Sequence, residues 1–136
     1  MKKYTVYLDE NFPKQLAHGL NILQQPQGAK ENLDIQVLSI KDVFGQGTPD
    51  ETWIPVVGSE KAVVITQDLN IQRTRHQREL YQKHGVGMFF FAIRDLPYWE
   101  IVKIVVNKWE EAKGIIKHER TPFAYRCTSK KGFEKI

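Results

Sequence analysis

One cysteine, Cys127, is the only thiol in 136 residues. The chain can therefore form no internal disulfide, no zinc ribbon and no paired-thiol redox centre. No apolar run nears the ~20 residues that a membrane span needs. The longest, Val86 to Ile93, is interrupted by Gly87 and fits a strand. There is no His-x-x-x-His pair to favour zinc. There is no Gly-x-Gly-x-x-Gly and no Gly-Lys followed by Ser or Thr, so nucleotide-cofactor readings lack support. Internal repeats and low-complexity stretches are also missing. Met1-Lys2-Lys3 runs straight into an apolar segment, which leaves no room for a signal peptide. With a lone thiol, the expected setting is reducing and cytoplasmic.

What is present is enough for a core. A hydrophobic fraction of 41% and an aromatic fraction of 11% argue against disorder and for one domain over residues 1–136. The net charge of +4 is mild, and its distribution is more informative. Arg73, Arg75, Arg78 and Lys83 face only Glu79 in one segment. A second basic segment, residues 113–136, follows a core expected over about 3–112. The acids are spread along the chain, 9 of the 16 in its first half, with adjacent pairs at Asp9-Glu10 and Asp50-Glu51. Clustered acids with separate basic segments suit a polyanion gripped by Lys and Arg, with a metal at the reacting phosphate.

Strands and helices alternate along the chain. Lys3 to Leu8 reads as a strand, and Leu16, Leu20 and Leu23 follow with helical spacing behind Pro13. Gln24 to Asn32 reads as a polar loop, and Ile35 to Ile40 as a second strand. Beyond the Gly45–Pro49 loop, Thr48 or Asp50 is expected to cap a helix with Ile54, Val57 and Ala62 near its inner side. Ala62 to Thr66 is a continuously apolar strand, Ile71 to Lys83 a basic helix broken by Gly85, and Met88 to Ile93 a fourth strand. A long helix starts at Leu96-Pro97. Phe123 to Thr128 is expected to be a last, edge strand before a Lys-rich tail. The class is α/β with a mainly parallel sheet flanked by helices.

Acids punctuate this pattern. Asp9-Glu10 ends the first strand, Asp50-Glu51 opens a helix, and Asp68 follows Ala62 to Thr66. In an open α/β sheet the carboxyl ends of parallel strands meet at one edge, where ligands bind. The expectation is that Asp9, Asp50 and Asp68 share one pocket. Carboxylates gathered there repel unless a hard cation lies between them.

Two motifs carry a resemblance. Leu8-Asp9-Glu10-Asn11-Phe12-Pro13 resembles the opening of PIN-like domains of the DUF5615 and VapC-like kind. Gly47-Thr48-Pro49-Asp50-Glu51, an apolar helix and then Val63-Val64-Ile65-Thr66-Gln67-Asp68 resembles the same family's core, over roughly residues 3 to 95. The resemblance implies a three-layer PIN-like fold and a Mg²⁺- or Mn²⁺-dependent ribonuclease site. Asp9, Asp50 and Asp68 match the family's acids, as catalytic residues and as ligands of one metal or two. Many members are toxins paired with an antitoxin protein. Two departures stand out: only Glu31, Asp34 and Asp42 are available for a further acid in the intervening region, and Asn70 stands where a second acid often follows Asp68.

Each candidate has a plainer reading. Asp9 can cap a turn onto Asn11 or Phe12, and Asp50 can be a helix cap. Glu10, Glu51, Thr66 and Asn70 are auxiliary candidates that orient a carboxylate or a bound water. Arg73, Arg75 and Arg78 are candidate contacts to single-stranded or looped RNA, or simply a solvated helix face. A catalytically vestigial protein-binding domain is the alternative function, and a receiver- or phosphatase-like domain a weaker one. No membrane association is expected, and a homodimer is left open.

Overall fold

The computed structural model describes residues 1–68 and 74–136 in full and residues 71–73 by their backbone. Strand β1 (Lys3–Leu8) leads into α1 (Lys14–Gln24), a 3₁₀ turn (Gln25–Gln27) and the short α2 (Gly28–Glu31). Then come β2 (Asp34–Ser39), the short α3 (Ile40–Phe44), α4 (Asp50–Ser59), β3 (Val63–Gln67) and α5 (Ile71–His84). The chain finishes with β4 (Gly87–Phe91), α6 (Tyr98–His118), β5 (Phe123–Thr128) and β6 (Gly132–Lys135). Among the described residues these strands form one sheet in the order β2-β1-β3-β4-β5-β6. Pairing is parallel from β2 through β5, and β6 runs antiparallel to β5.

Alternation along the strands sorts the core into two layers. Val6, Leu8, Ile35, Val37, Val63, Ile65, Phe89 and Phe91 lie on one side, under Leu16, Ala17 and Leu20 of α1 and Val105, Trp109 and Ile116 of α6. Tyr7, Val64, Met88 and Phe90 lie on the other, under Trp53, Ile54 and Val57 of α4 and Tyr81 of α5. Strand β4 is buried along its whole length, as a parallel strand covered on both faces must be. The architecture is helix, sheet, helix.

These layers give the connections their hand. The chain leaves β1 for β2 across the α1 side and returns past β1 to β3 across the α4 side. The α5 connection continues in the same direction across the same side. The α6 connection also continues in that direction, yet it crosses on the α1 side. It therefore has the opposite hand to the other three, against the strong preference for a single hand in parallel crossovers. Trp109 Nε1 and Lys113 Nζ hold α6 there by donating to Gln24 Oε1 at 3.0 and 3.1 Å. Lys113 also pairs with Glu31 at 2.9 Å.

Several local expectations are corrected. The Gln24–Asn32 loop is the 3₁₀ turn and α2, ended by Asn32 at a φ of 53°. Ile40 begins α3 rather than ending β2. Ala62 is buried between the end of α4 and β3 and is not on the helix. Strand β5 is not the edge, because part of the expected tail is β6. The anchor is Phe133, whose ring lies 5.1 Å from that of Phe89 and 5.8 Å from that of Phe91. Lys113 belongs to α6 and is buried, so the basic segment does not begin as a loose tail. Among the described residues no helix is long and apolar enough to cross a membrane.

Candidate active site

The strand order reverses direction between β1 and β3, so a crevice opens beyond their carboxyl ends. Asp9 is the first residue after β1 there. Its backbone N–H continues the sheet by donating to Ile65 O at 3.1 Å. The side chain turns toward the α4–α5 side and is 5% exposed. Oδ1 accepts from the Asn11 N–H at 2.9 Å, and Oδ2 accepts from Asn11 Nδ2 at 3.3 Å and from the Thr66 hydroxyl. The plain reading of Asp9 as a turn former is thus correct as far as Asn11 goes. It leaves the carboxylate buried against an acid, however. Burial is the main cause that pushes the Asp9 pKa up to about 6. The bonds from Thr66 and Asn11 oppose it, and the charge of Asp50 adds to it.

Asp50 lines the same cleft as Asp9, with Glu10, Asn11, Ile40, Trp53, Gln67 and Gln77. The expected helix cap is not made. Pro49 holds the cap position, no side chain caps the turn among the described residues, and Thr48 Oγ1 donates instead to Phe44 O at 2.8 Å. The Asp50 carboxylate is free of that duty, and Gln77 Nε2 lies 3.3 Å from its Oδ2. Glu10 Oε2 accepts from the Gly47 N–H at 2.8 Å, which ties the first acidic motif to the loop that leads into α4. Gly47 adopts a φ of 79°, and Gly45 one of 94°, conformations that favour glycine in this loop.

Asp68 takes a different path. Its backbone N–H donates to Phe91 O at 2.7 Å, which sets it toward β4. Arg126 Nε of β5 lies 3.0 Å from its Oδ2, as an ion pair whose angle falls short of a hydrogen bond. Thr74 Oγ1 is 3.5 Å from its Oδ1. The structure thus brings Asp9 and Asp50 together and commits Asp68 to a cation of the protein's own. Among the described residues no three of His, Cys, Asp and Glu gather to hold a metal ion. The expectation of one pocket shared by all three acids is corrected accordingly.

The other acids stay away from the cleft. Glu31 pairs with Lys113 on the far side of the sheet, Asp34 starts β2 at the amino edge, and Asp42 pairs with His18. Glu51 points outward, 3.7 Å from His76. Arg75 is exposed, and Arg78 turns to a separate cavity with Met88, Phe123 and Lys135. Asn70 and the Arg73 side chain lie outside the described residues.

The sequence reading missed the inner side of α5. Thr74, Gln77 and Tyr81 are spaced by three and four, all buried, and all directed at the acids. A polar stripe at core-facing helical spacing was the available signal. Tyr81 is fully buried, and burial followed by the charges of Asp9 and Asp50 holds its pKa well above the ordinary range. A side-chain bond with Thr66 opposes that rise, and Ser39 Oγ and Gln77 Oε1 have no hydrogen-bond partner among the described residues. Ser39 ends β2, in register with Leu8 beside Asp9. Arg126 gave no signal at all, being one alternating residue of a late strand.

A family model described as PIN like domain matches residues 5–93. No curated protein and no solved structure matches the chain. The matched span runs from within β1 to just beyond β4, with Asp9, Asp50, Asp68 and Gln77 inside it and Arg126 beyond it.

Proposed function

Because the chain belongs to the PIN-like domain family, we propose that it is a ribonuclease that cuts RNA phosphodiesters with the help of Mg²⁺ or Mn²⁺, acting as the toxin of a toxin–antitoxin pair. The observation that carries this reading is the cleft shared by Asp9 and Asp50 at the switch point of the sheet. The donor set fits the ion. Mg²⁺ keeps several waters and takes one or two carboxylates together with substrate phosphates. Burial is the main cause of the raised Asp9 pKa and the charge of Asp50 adds to it, and a cation between the two acids would offset both. When bound, such an ion supplies a water of lowered pKa and offsets charge at the reacting phosphate.

The side chains divide the remaining work. Thr66 and Asn11 fix the Asp9 carboxylate, Gln77 orients Asp50, and Glu10 steadies the loop before α4. Asp68 enters a ligand set only by giving up Arg126. Arg73, Arg75 and Arg78 hold the RNA backbone by charge, and single-stranded or looped RNA fits a narrow edge site. The finer kinship with DUF5615 and VapC-like domains rests on the Leu8–Pro13 and Thr66–Asp68 motifs. An antitoxin protein would find exposed apolar surface at Tyr98 and Trp99 on α6, 45% and 70% exposed. The cytoplasm is the proposed location.

The test is cleavage of a single-stranded RNA with Mg²⁺ or Mn²⁺, with EDTA, Asp9→Asn and Asp50→Asn as controls. Loss of cutting in all three supports the reading; undiminished cutting by both variants overturns it. One observation favours a second reading, a PIN-like domain that binds a protein partner without cutting RNA. The Arg126–Asp68 pair removes an acid from the set. Metal-independent partner binding, with no cleavage in either metal, would select that reading.

A further inference from the structure

A residue of the cleft carries a buried acceptor that neither acid explains. Gln77 is 8% exposed and lines the cleft with Asp9 and Asp50. Its amide nitrogen lies 3.3 Å from Asp50 Oδ2, while its oxygen, Oε1, is buried without a hydrogen-bond partner among the described residues. Buried amide oxygens are nearly always satisfied, and those that are not mark an ion, a water or a functional role. The adjacent Asp9 and Asp50 carboxylates cannot satisfy it when ionised, because they too are acceptors. Three oxygen acceptors around one cleft call for something positive.

We propose that Gln77 Oε1 is the third protein ligand of one divalent cation held by Asp9 and Asp50, in the role that sequence pattern assigned to Asp68. Hard divalent cations accept amide carbonyl oxygens beside carboxylates. Local charge supports a single ion. Asp68 is paired with Arg126, and Glu10, in the same cleft, accepts from the Gly47 N–H. Asp9 and Asp50 are the two acids left facing the Gln77 amide, and one divalent ion matches their two charges. This proposal rests on the cation reading of the cleft and adds its third ligand and its stoichiometry.

Ion binding can be read without RNA. Mn²⁺ is titrated into the full-length chain by calorimetry, and Tb³⁺ is followed by luminescence sensitised through Trp53, which lines the cleft. Melting curves in EDTA check that each variant folds. Gln77→Leu is expected to weaken Mn²⁺ binding about tenfold or more, with a stoichiometry of one in the wild type. Gln77→Glu is expected to bind at least as tightly as wild type, since it keeps an oxygen in place and adds charge. A residue that merely positions Asp50 predicts weaker binding instead, because Glu cannot donate to Asp50 Oδ2 and that tie is lost. Asp68→Asn is expected to change the affinity less than about twofold. Wild-type affinity in Gln77→Leu, weakened binding in Gln77→Glu, or two ions per chain would each overturn the proposal while leaving the cation cleft intact. If wild type and Asp9→Asn bind Mn²⁺ alike, the cleft reading fails and the proposal falls with it.

Discussion

The hydroxyl of Thr66 donates to Oδ2 of Asp9, joining the acid that ends β1 to strand β3, 57 residues later. A polar bond across a parallel pair fixes the carboxylate at the switch point before any ligand arrives. Asp9 keeps a raised pKa in spite of this donor, so the folded protein holds an acid that would be more stable neutral.

Removing that charge should stabilise the metal-free fold. Asp9→Asn is expected to raise the melting temperature in EDTA at pH 7.5 by about 5 °C, corresponding to about 1–2 kcal/mol. The sign of the pH dependence follows from the folded pKa of about 6 against 3.8 for the same group free in water. Between those values the native state retains a proton that the unfolded chain has lost. The contribution of Asp9 therefore falls as pH rises through this window and is flat above it. Wild-type melts in EDTA from pH 4 to 8 should show this loss, and Asp9→Asn should lack it. Destabilisation by Asn at every pH would mean that the acid only forms its turn.

Glu31 should behave in the opposite way. The hydrogen bond from Lys113 is the main cause holding its pKa low, with Gln24 helping. Stability from this group is present above the unfolded pKa and lost as pH falls through the folded one. Glu31→Gln leaves the Lys113 ammonium buried without its counter-charge. The expected loss is about 1–3 kcal/mol at pH 7, less than for a fully enclosed pair because Glu31 is partly exposed. Urea midpoints at pH 7 and pH 3 check this, and the difference between wild type and variant should shrink in acid.

At Gly58 the helices that carry Asp50 and Gln77 approach closely. A Cβ there would meet His84 O at 2.3 Å and His84 Cβ at 2.9 Å. Neither a carbonyl nor a Cβ can swing aside, so α4 and α5 must separate. Gly58→Ala is expected to destabilise by about 2–3 kcal/mol and to weaken Mn²⁺ binding. Thermal melts and calorimetry give both readings, and an unchanged melting temperature would contradict the packing.

RNA affinity provides a test on the basic helix. If Arg75 and Arg78 touch phosphates, replacing both with Ala reduces the slope of log affinity against log salt by about 1.4 for a single strand. Filter binding between 50 and 300 mM salt would measure it. An unchanged slope would assign both residues to the solvated surface.

How far the sequence could be read depended on how local each signal was. Asp9, Asp68 and Thr66 were legible because each stands at or just beyond the end of a strand with an unbroken apolar run. Strand ends map directly onto the edge of a parallel sheet. That Asp68 would meet Arg126 was not legible, since it depends on β5 lying two strands from β3. Gln77 and Tyr81 depended on how α5 is rotated, and the basic residues between them obscured the stripe. Strand β6 was too short and too charged to register, and its place came from Phe133. The periodicity of α6 gave an apolar stripe, but a stripe does not say which side of the sheet it covers.

The α6 crossing leaves a mark on the other side of the sheet. With that helix seated beside α1, the outward residues of β5 on the α4–α5 side, Ala124, Arg126 and Thr128, are only half-buried. Part of this face of the sheet is therefore left open, and the Arg126 side chain stays 39% exposed beside Asp68, so its charge reaches solvent as well as the acid.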